Sequence, residues 1–257
     1  MQRLFFFALL LTTLNTYAQP AIDILHYDIH IDLLNLSQGK IKGNTALQFK
    51  ALKATNSINI DLLKLTVDSV RNLSGKLNYT QTETTLTVTL NTTLAANDTG
   101  LVTIYYQGKP FTDPSQYGGG FYFVNDFAYN VGVGFSANPH NLARAWFPAV
   151  DNFTDRALFD FYIRTETDKK AFSNGLLIAK VNNNDGTQTW HWKLNESIPP
   201  YLASVAVAKF ATINDNVTGM NGSIPIQINV LKADSAKAVQ SFSNLKQYFA
   251  NYEKRFG

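Results

Sequence analysis

From His26 to Leu33 the chain reads HYDIHIDL, alternating polar and apolar residues at every step. A period of two predicts a half-buried strand with Tyr27, Ile29, Ile31 and Leu33 on its buried side. Comparable alternating or β-branched segments recur as GNTALQFKAL, SINIDLL, LTVDSVRNL, TTLTVTL, LVTIYYQG, LFDFYIRTET, TQTWHWKL, YLASVAVAKF and IPIQINVL. Turn signals such as NDTG, NNNDG and NGSIP separate them. Their number and spacing predict a mainly β fold of several sheets, a β-sandwich or saddle.

The pattern changes near Asp234. Val239, Phe242, Leu245, Phe249, Tyr252 and Phe256 recur at three- and four-residue steps after Asp234 or Ser235, either of which suits an N-cap. One amphipathic helix over 233–257 is expected, and its apolar stripe needs a cover. Either the stripe docks on the sheets, or the helix opens a helical domain that lies beyond this sequence.

At the other end, MQRLFFFALLLTTLNTYAQP sets Arg3 before an apolar run from Leu4 to Leu11 and small residues before Gln19. This reads as a cleavable export signal over 1–18, with a periplasmic or extracellular destination and a β domain over 19–232. The apolar run is shorter than the roughly 20 residues of a membrane span, so no span is expected. There is no cysteine, which excludes thiol catalysis and thiolate metal ligands. A net charge of +3 without Lys/Arg runs gives no footprint for nucleic acid.

The four histidines are the first candidates for chemistry. His26 and His30 have the four-residue spacing of a helical zinc motif, where Cβ atoms lie roughly 5–6 Å apart. On a strand the same spacing is roughly 13 Å, too far for bonds of about 2 Å to one zinc. The residue after His26 is Tyr27, where that motif places its Glu base. His191, between Trp190 and Trp192, reads as an exposed strand position. His140 falls in the long, aperiodic, Gly- and aromatic-rich segment from Asp113 to Asp155, the kind of segment that carries function. The glycines of GGGFYF and GVGF lack the Lys-Ser/Thr of a phosphate loop, and no G-x-S-x-G elbow occurs. Phe121, Tyr122, Phe123, Phe127 and Tyr129 offer rings on which a sugar or base could stack, or simply core.

The run ARAWFPAVDN, Ala143 to Asn152, resembles the A-R-x-x-F-P-x-x-D-E-P signature in the N-terminal domain of the aminopeptidase N family of zinc metallopeptidases. Ala143, Arg144, Phe147, Pro148 and Asp151 match in register. YYQG and GGGFYF upstream, and PPYLASVAVAKF and YFANYEKRFG downstream, are similar to further landmarks in the same order. The resemblance implies a β saddle packed on a thermolysin-like domain of the same protein, which would hold zinc through H-E-x-x-H beyond the position of Gly257. No cofactor and no catalytic residue are then expected in this chain, which alone should not hydrolyse peptides. It also implies Gln or Glu five and seven residues before the signature arginine, to hold the amino terminus of a peptide substrate. Those places hold Pro139 and Ala137; a one-residue slip makes Asn138 and His140 the candidates for substrate contact. Arg144 and Asp151 are expected to order the loop by their opposite charges. The Asp-Glu-Pro of the signature is here Asp151-Asn152-Phe153. The rival reading is a secreted β-sandwich module that binds a glycan or surface polymer through its aromatic segment.

Overall fold

A computed structural model describes residues 21–116 and 118–256. The first strands in chain order are β1 (Ile22–Asp32), β2 (Ile41–Ala51), β3 (Thr55–Asp61), β4 (Thr66–Asn72), β5 (Gly75–Lys76) and β6 (Asn78–Gln81). There follow β7 (Thr85–Leu94), β8 (Thr99–Gly108), β9 (Gly120–Val124), β10 (Phe127–Val131), β11 (Ala157–Glu166) and β12 (Lys170–Ser173). The last are β13 (Leu176–Asn182), β14 (Thr187–Ile198), β15 (Val205–Ala208), β16 (Phe210–Gly219) and β17 (Gly222–Leu231). Two helices close the chain, α1 (Ser235–Ser241) and α2 (Leu245–Phe256). The export signal expected over 1–18 lies outside the described residues.

The alternation read from the sequence is physical. Along β1, Tyr27, Ile29 and Ile31 are buried while Asp28 and His30 face solvent. An eight-stranded sheet runs β13-β14-β11-β1-β2-β8-β4-β5, antiparallel except where β1 and β11 pair in parallel. A three-stranded sheet, β3-β7-β6, and a four-stranded sheet, β12-β15-β10-β9, share its core. The buried cluster draws Ile58 and Val88 from the small sheet, Phe121 and Val207 from the four-stranded one, and Trp190 and Trp192 from the large one. Both indoles are satisfied inside, Trp190 donating to Thr165 Oγ1 at 3.2 Å and Trp192 to the Ala171 carbonyl at 3.0 Å.

Three local readings change. Part of the segment read as aperiodic is the β9–β10 hairpin, turned at Val124–Phe127 with Asn125 left-handed at φ 55°. In YLASVAVAKF the strand begins only at Val205, because Pro200–Leu202 form a 3-10 turn. The C-terminal helix is broken: Phe242 to Asn244 separate α1 from α2, where a Ser-Phe-Ser-Asn run offers side chains that compete for backbone hydrogen bonds. Asp234 precedes α1 but makes no capping bond; its carboxylate lies 3.4 Å from Lys237 instead.

The helices lie on the separate β16–β17 hairpin. Glu253 Oε1 accepts the Met220 N–H at 2.7 Å, and Lys246 meets Asp215 at 2.6 Å. Among the described residues after Lys209, only Val217 and Ala238 are buried. No helix of the described residues is long and apolar enough to cross a membrane.

Candidate functional site

The segment from Asn141 to Asp151 sits where the three sheets meet. Ala143–Ala145 form a 3-10 turn, and every residue from Asn141 to Ala149 is buried. Trp146 and Phe147 are fully enclosed. Phe147 meets Tyr27 of β1 edge-on at 5.6 Å and Phe159 of β11 at 6.4 Å, and Trp146 faces Phe121 of β9 at 6.0 Å. Phe147 and buried Pro148 thus act as packing between layers, which fits the aromatic-rich composition of the motif.

Backbone bonds fix the segment against β3. Asp61 and Ala149 exchange N–H to carbonyl bonds at 2.7 and 3.0 Å, and the Leu63 N–H donates to the Arg144 carbonyl at 2.8 Å. The Asp151 N–H donates to Asp61 Oδ2 at 3.0 Å, and the Val150 N–H to the Tyr27 hydroxyl at 2.9 Å. Asp151 Oδ2 in turn accepts the Arg144 backbone N–H at 3.1 Å. The expected ordering by opposite charges therefore takes a different form. The carboxylate of Asp151 bonds the backbone of Arg144, and the guanidinium donates from Nη2 to the Pro139 carbonyl at 3.0 Å. Burial raises the pKa of Asp61 and of Asp151 above the usual carboxylate range; the Asp151 and Arg144 N–H groups and the Arg144 charge pull the other way without reversing it.

Where the signature would have Glu-Pro, Asn152 builds the turn by another route. Its Oδ1 accepts the backbone N–H groups of Thr154 at 2.8 Å and Asp155 at 2.6 Å, an Asx turn in place of the proline. Phe153 is half exposed, edge-on to Tyr201 at 5.2 Å.

The loop before the segment carries the two substrate-contact candidates. Asn138 is exposed, follows Ala137 and precedes Pro139 through a cis bond, and lines a cavity of about 390 Å³ with Arg144, Asp61 and Phe111. His140 is exposed but does not line it; its Nδ1 lies 3.0 Å from the Gly134 carbonyl, and its own carbonyl accepts the Gly134 N–H at 2.8 Å. The structure thus places Asn138 with Arg144 and turns the His140 ring back on its own loop. Asp113, unnoticed in the sequence, holds this loop: its carboxylate accepts the N–H groups of Ser136 at 2.9 Å and Ala137 at 2.7 Å. Burial works to raise its pKa, but these bonds and those from Ser115 prevail and lower it. Its only sequence signal is the Asp-Pro-Ser turn triplet.

The other histidines lie on the large sheet. His26 Nε2 is 2.9 Å from Asp160 Oδ2, whereas His30 Nε2 is 3.0 Å from Asp28, so the two engage different carboxylates. His191, expected as an exposed strand position, is mostly covered: it bonds Asp160 Oδ1 at 2.5 Å and stacks on Tyr162 at 4.2 Å. Among the described residues no group of three or more His, Asp, Glu or Cys is placed to hold a metal ion.

Comparison with the curated proteins gave no match. Among solved structures the fold resembles an M1 zinc metallopeptidase from Deinococcus radiodurans bound to a Tyr-Ser-Ala substrate. The TM-score is 0.71 at 20% identity, over 87% of this chain and 53% of that one. It also resembles Legionella pneumophila aminopeptidase A in complex with aspartic acid, with a TM-score of 0.77 at 18% identity over 94% of this chain and 28% of that one. The chain spans about half the length of the first and under a third of the second. The family described as the Peptidase M1 N-terminal domain matches residues 24–202, more than half of the sequence, and the chain belongs to that family.

Proposed function

We propose that this chain is the substrate-entrance domain of an exported, zinc-dependent aminopeptidase-like metallopeptidase and is not catalytic on its own. In this reading a catalytic domain of the same protein follows the C-terminal helices and holds the zinc, which there would polarise the scissile carbonyl and activate water. The residues described here do not fit the metal, and no step of catalysis is assigned to them.

The observation that carries the reading is the uncovered C-terminal segment. Val239 on α1, Phe242 at the break and Tyr252 and Phe256 on α2 are 57%, 47%, 67% and 79% exposed. Large apolar side chains left exposed in this number on one short segment are what a domain interface presents without its partner. The substrate role belongs to the loop from Gly134 to His140, beside the cavity at Arg144. Ala137 and Pro139 have no side-chain acceptor, so Asn138 is the group that would meet a peptide amine. Export is supported by the amino-terminal pattern alone.

The test is to express the reading frame continued past Gly257 and compare it with the 257-residue chain. Stoichiometric zinc and aminoacyl-amide hydrolysis in the longer product only is the expected result. Turnover or stoichiometric zinc in the 257-residue chain would overturn the reading, and a stop codon directly after Gly257 would favour the secreted binding module.

A further inference from the structure

Away from the signature segment, two adjoining cavities flank the turn from Asn35 to Gly39. One, of about 610 Å³, lies between that turn, Lys109 and β9, where the half-buried Phe123 ring faces Gly39 of the turn. The other, of about 480 Å³, lies between the same turn and the ends of β2, β4 and β8, and includes Lys40 and Lys42. Gln38 lines both, so the two form one groove with Gln38 at its middle.

The groups lining the groove share one property. Lys40, Lys42 and Lys109 are exposed and make no ion pair among the described residues. The side chains of Ser37, Gln38 and Asn125 make no hydrogen bond there either. The single carboxylate lining the groove, Asp32, is engaged by Arg164 at 3.6 Å. Their backbone is nevertheless well fixed: Leu36 is buried, the turn closes through Gln38 N–H to Asn35 carbonyl at 2.9 Å, and Asn125 sits in the tight β9–β10 turn. Unused donors and acceptors beside the half-buried Phe123 ring, on a rigid frame and within the volume range of ligand pockets, are the elements of a small-molecule site.

We propose that this groove binds an acidic oligosaccharide, independently of any peptidase activity. The Phe123 ring suits the apolar face of one sugar unit, the amides and the Ser37 hydroxyl suit its hydroxyls, and the three lysines suit carboxylates on further units in the two cavities. An aromatic ring flanked by hydroxyl and amide side chains favours a uronic-acid polymer, whose pyranose offers an apolar face and ring hydroxyls, over an acidic peptide, whose carboxylate side chains offer neither.

The experiment is calorimetric titration of the purified chain with oligogalacturonate, with its methyl-esterified form as the neutral control and polyglutamate as the acidic-peptide control. The expected result is binding of oligogalacturonate, weakened about five- to tenfold by each of Lys40→Ala and Lys109→Ala and severalfold by Gln38→Ala. The esterified form and polyglutamate should bind at least about tenfold more weakly. These side chains are exposed and have no polar partner among the described residues, so the thermal midpoint should not move. Absence of binding, binding indifferent to the substitutions or to esterification, or polyglutamate binding as tightly as the sugar would each overturn the proposal.

Discussion

Asp155 is the residue whose environment makes the sharpest prediction. Its Oδ1 accepts the Ile24 N–H at 3.3 Å, while its Oδ2 is buried without a partner among the described residues. Burial, aided by the charge of Asp23, pushes its pKa up to about 6 despite that bond. An unfolded Asp titrates near 3.9, so the native state holds the proton more tightly, and the group lowers stability progressively as pH rises from about 4 to 6. Asp155→Asn keeps the acceptor and removes the charge. Above pH 6 it should be more stable than the parent by about 1–3 kcal/mol after allowance for solvent screening, and the two should converge near pH 4. Denaturant melts across that range check this, and an equal offset at both ends would contradict it. Phe147→Ala, at the meeting of the layers, should cost about 3–5 kcal/mol by the same measurement. These side chains were unequally legible. Phe147 and Pro148 announce themselves through a motif, whereas Asp155, Asp160 and Asp113 gain their roles from partners brought together only by folding. Ile24 and Asp155, for instance, stand 131 residues apart.

Elements with a strong period were readable, and those set by neighbours were not. β1, β2, β8, β11 and β14 carry clear alternation because one face is core and the other solvent. β9 and β10 hide in a Gly-rich stretch because both faces of their hairpin carry aromatics, with Phe121 inward and Tyr122 stacked on Tyr129 at 5.2 Å outward. β13 is missed for another reason: it is an edge strand whose Leu176, Leu177 and Ile178 are all exposed, so no alternation marks it. The C-terminal period marks the apolar positions but carries no sign of the break at Phe242, which lies between α1 and α2. Because Tyr252 and Phe256 are uncovered, Tyr252→Ser and Phe256→Ser should change the stability of the isolated chain by less than about 0.5 kcal/mol. A loss comparable to that of Phe147→Ala would mean that the stripe is already buried in this chain.

At the scale of the molecule, two regions differ in how they are held. Residues 21–208 share a core among three sheets, with a buried signature segment as the join. The hairpin and helices after Lys209 are tied by side-chain bonds such as Glu253 to Met220 and by little buried apolar surface. The fold of the first region follows from alternation and a family motif; in the second, Leu245 and Phe249 are half-buried while Val239, Phe242, Tyr252 and Phe256 stay exposed. Low local burial gives low local stability, since opening such a segment exposes little new apolar surface. The most direct measurement is native-state amide hydrogen exchange on the purified 257-residue chain, read segment by segment. Amides of β16, β17, α1 and α2 should exchange through local opening, faster by several orders of magnitude than those of β1, β2 and β11. Protection of the C-terminal segment equal to that of the large sheet would show it to be complete without a partner and would contradict the account.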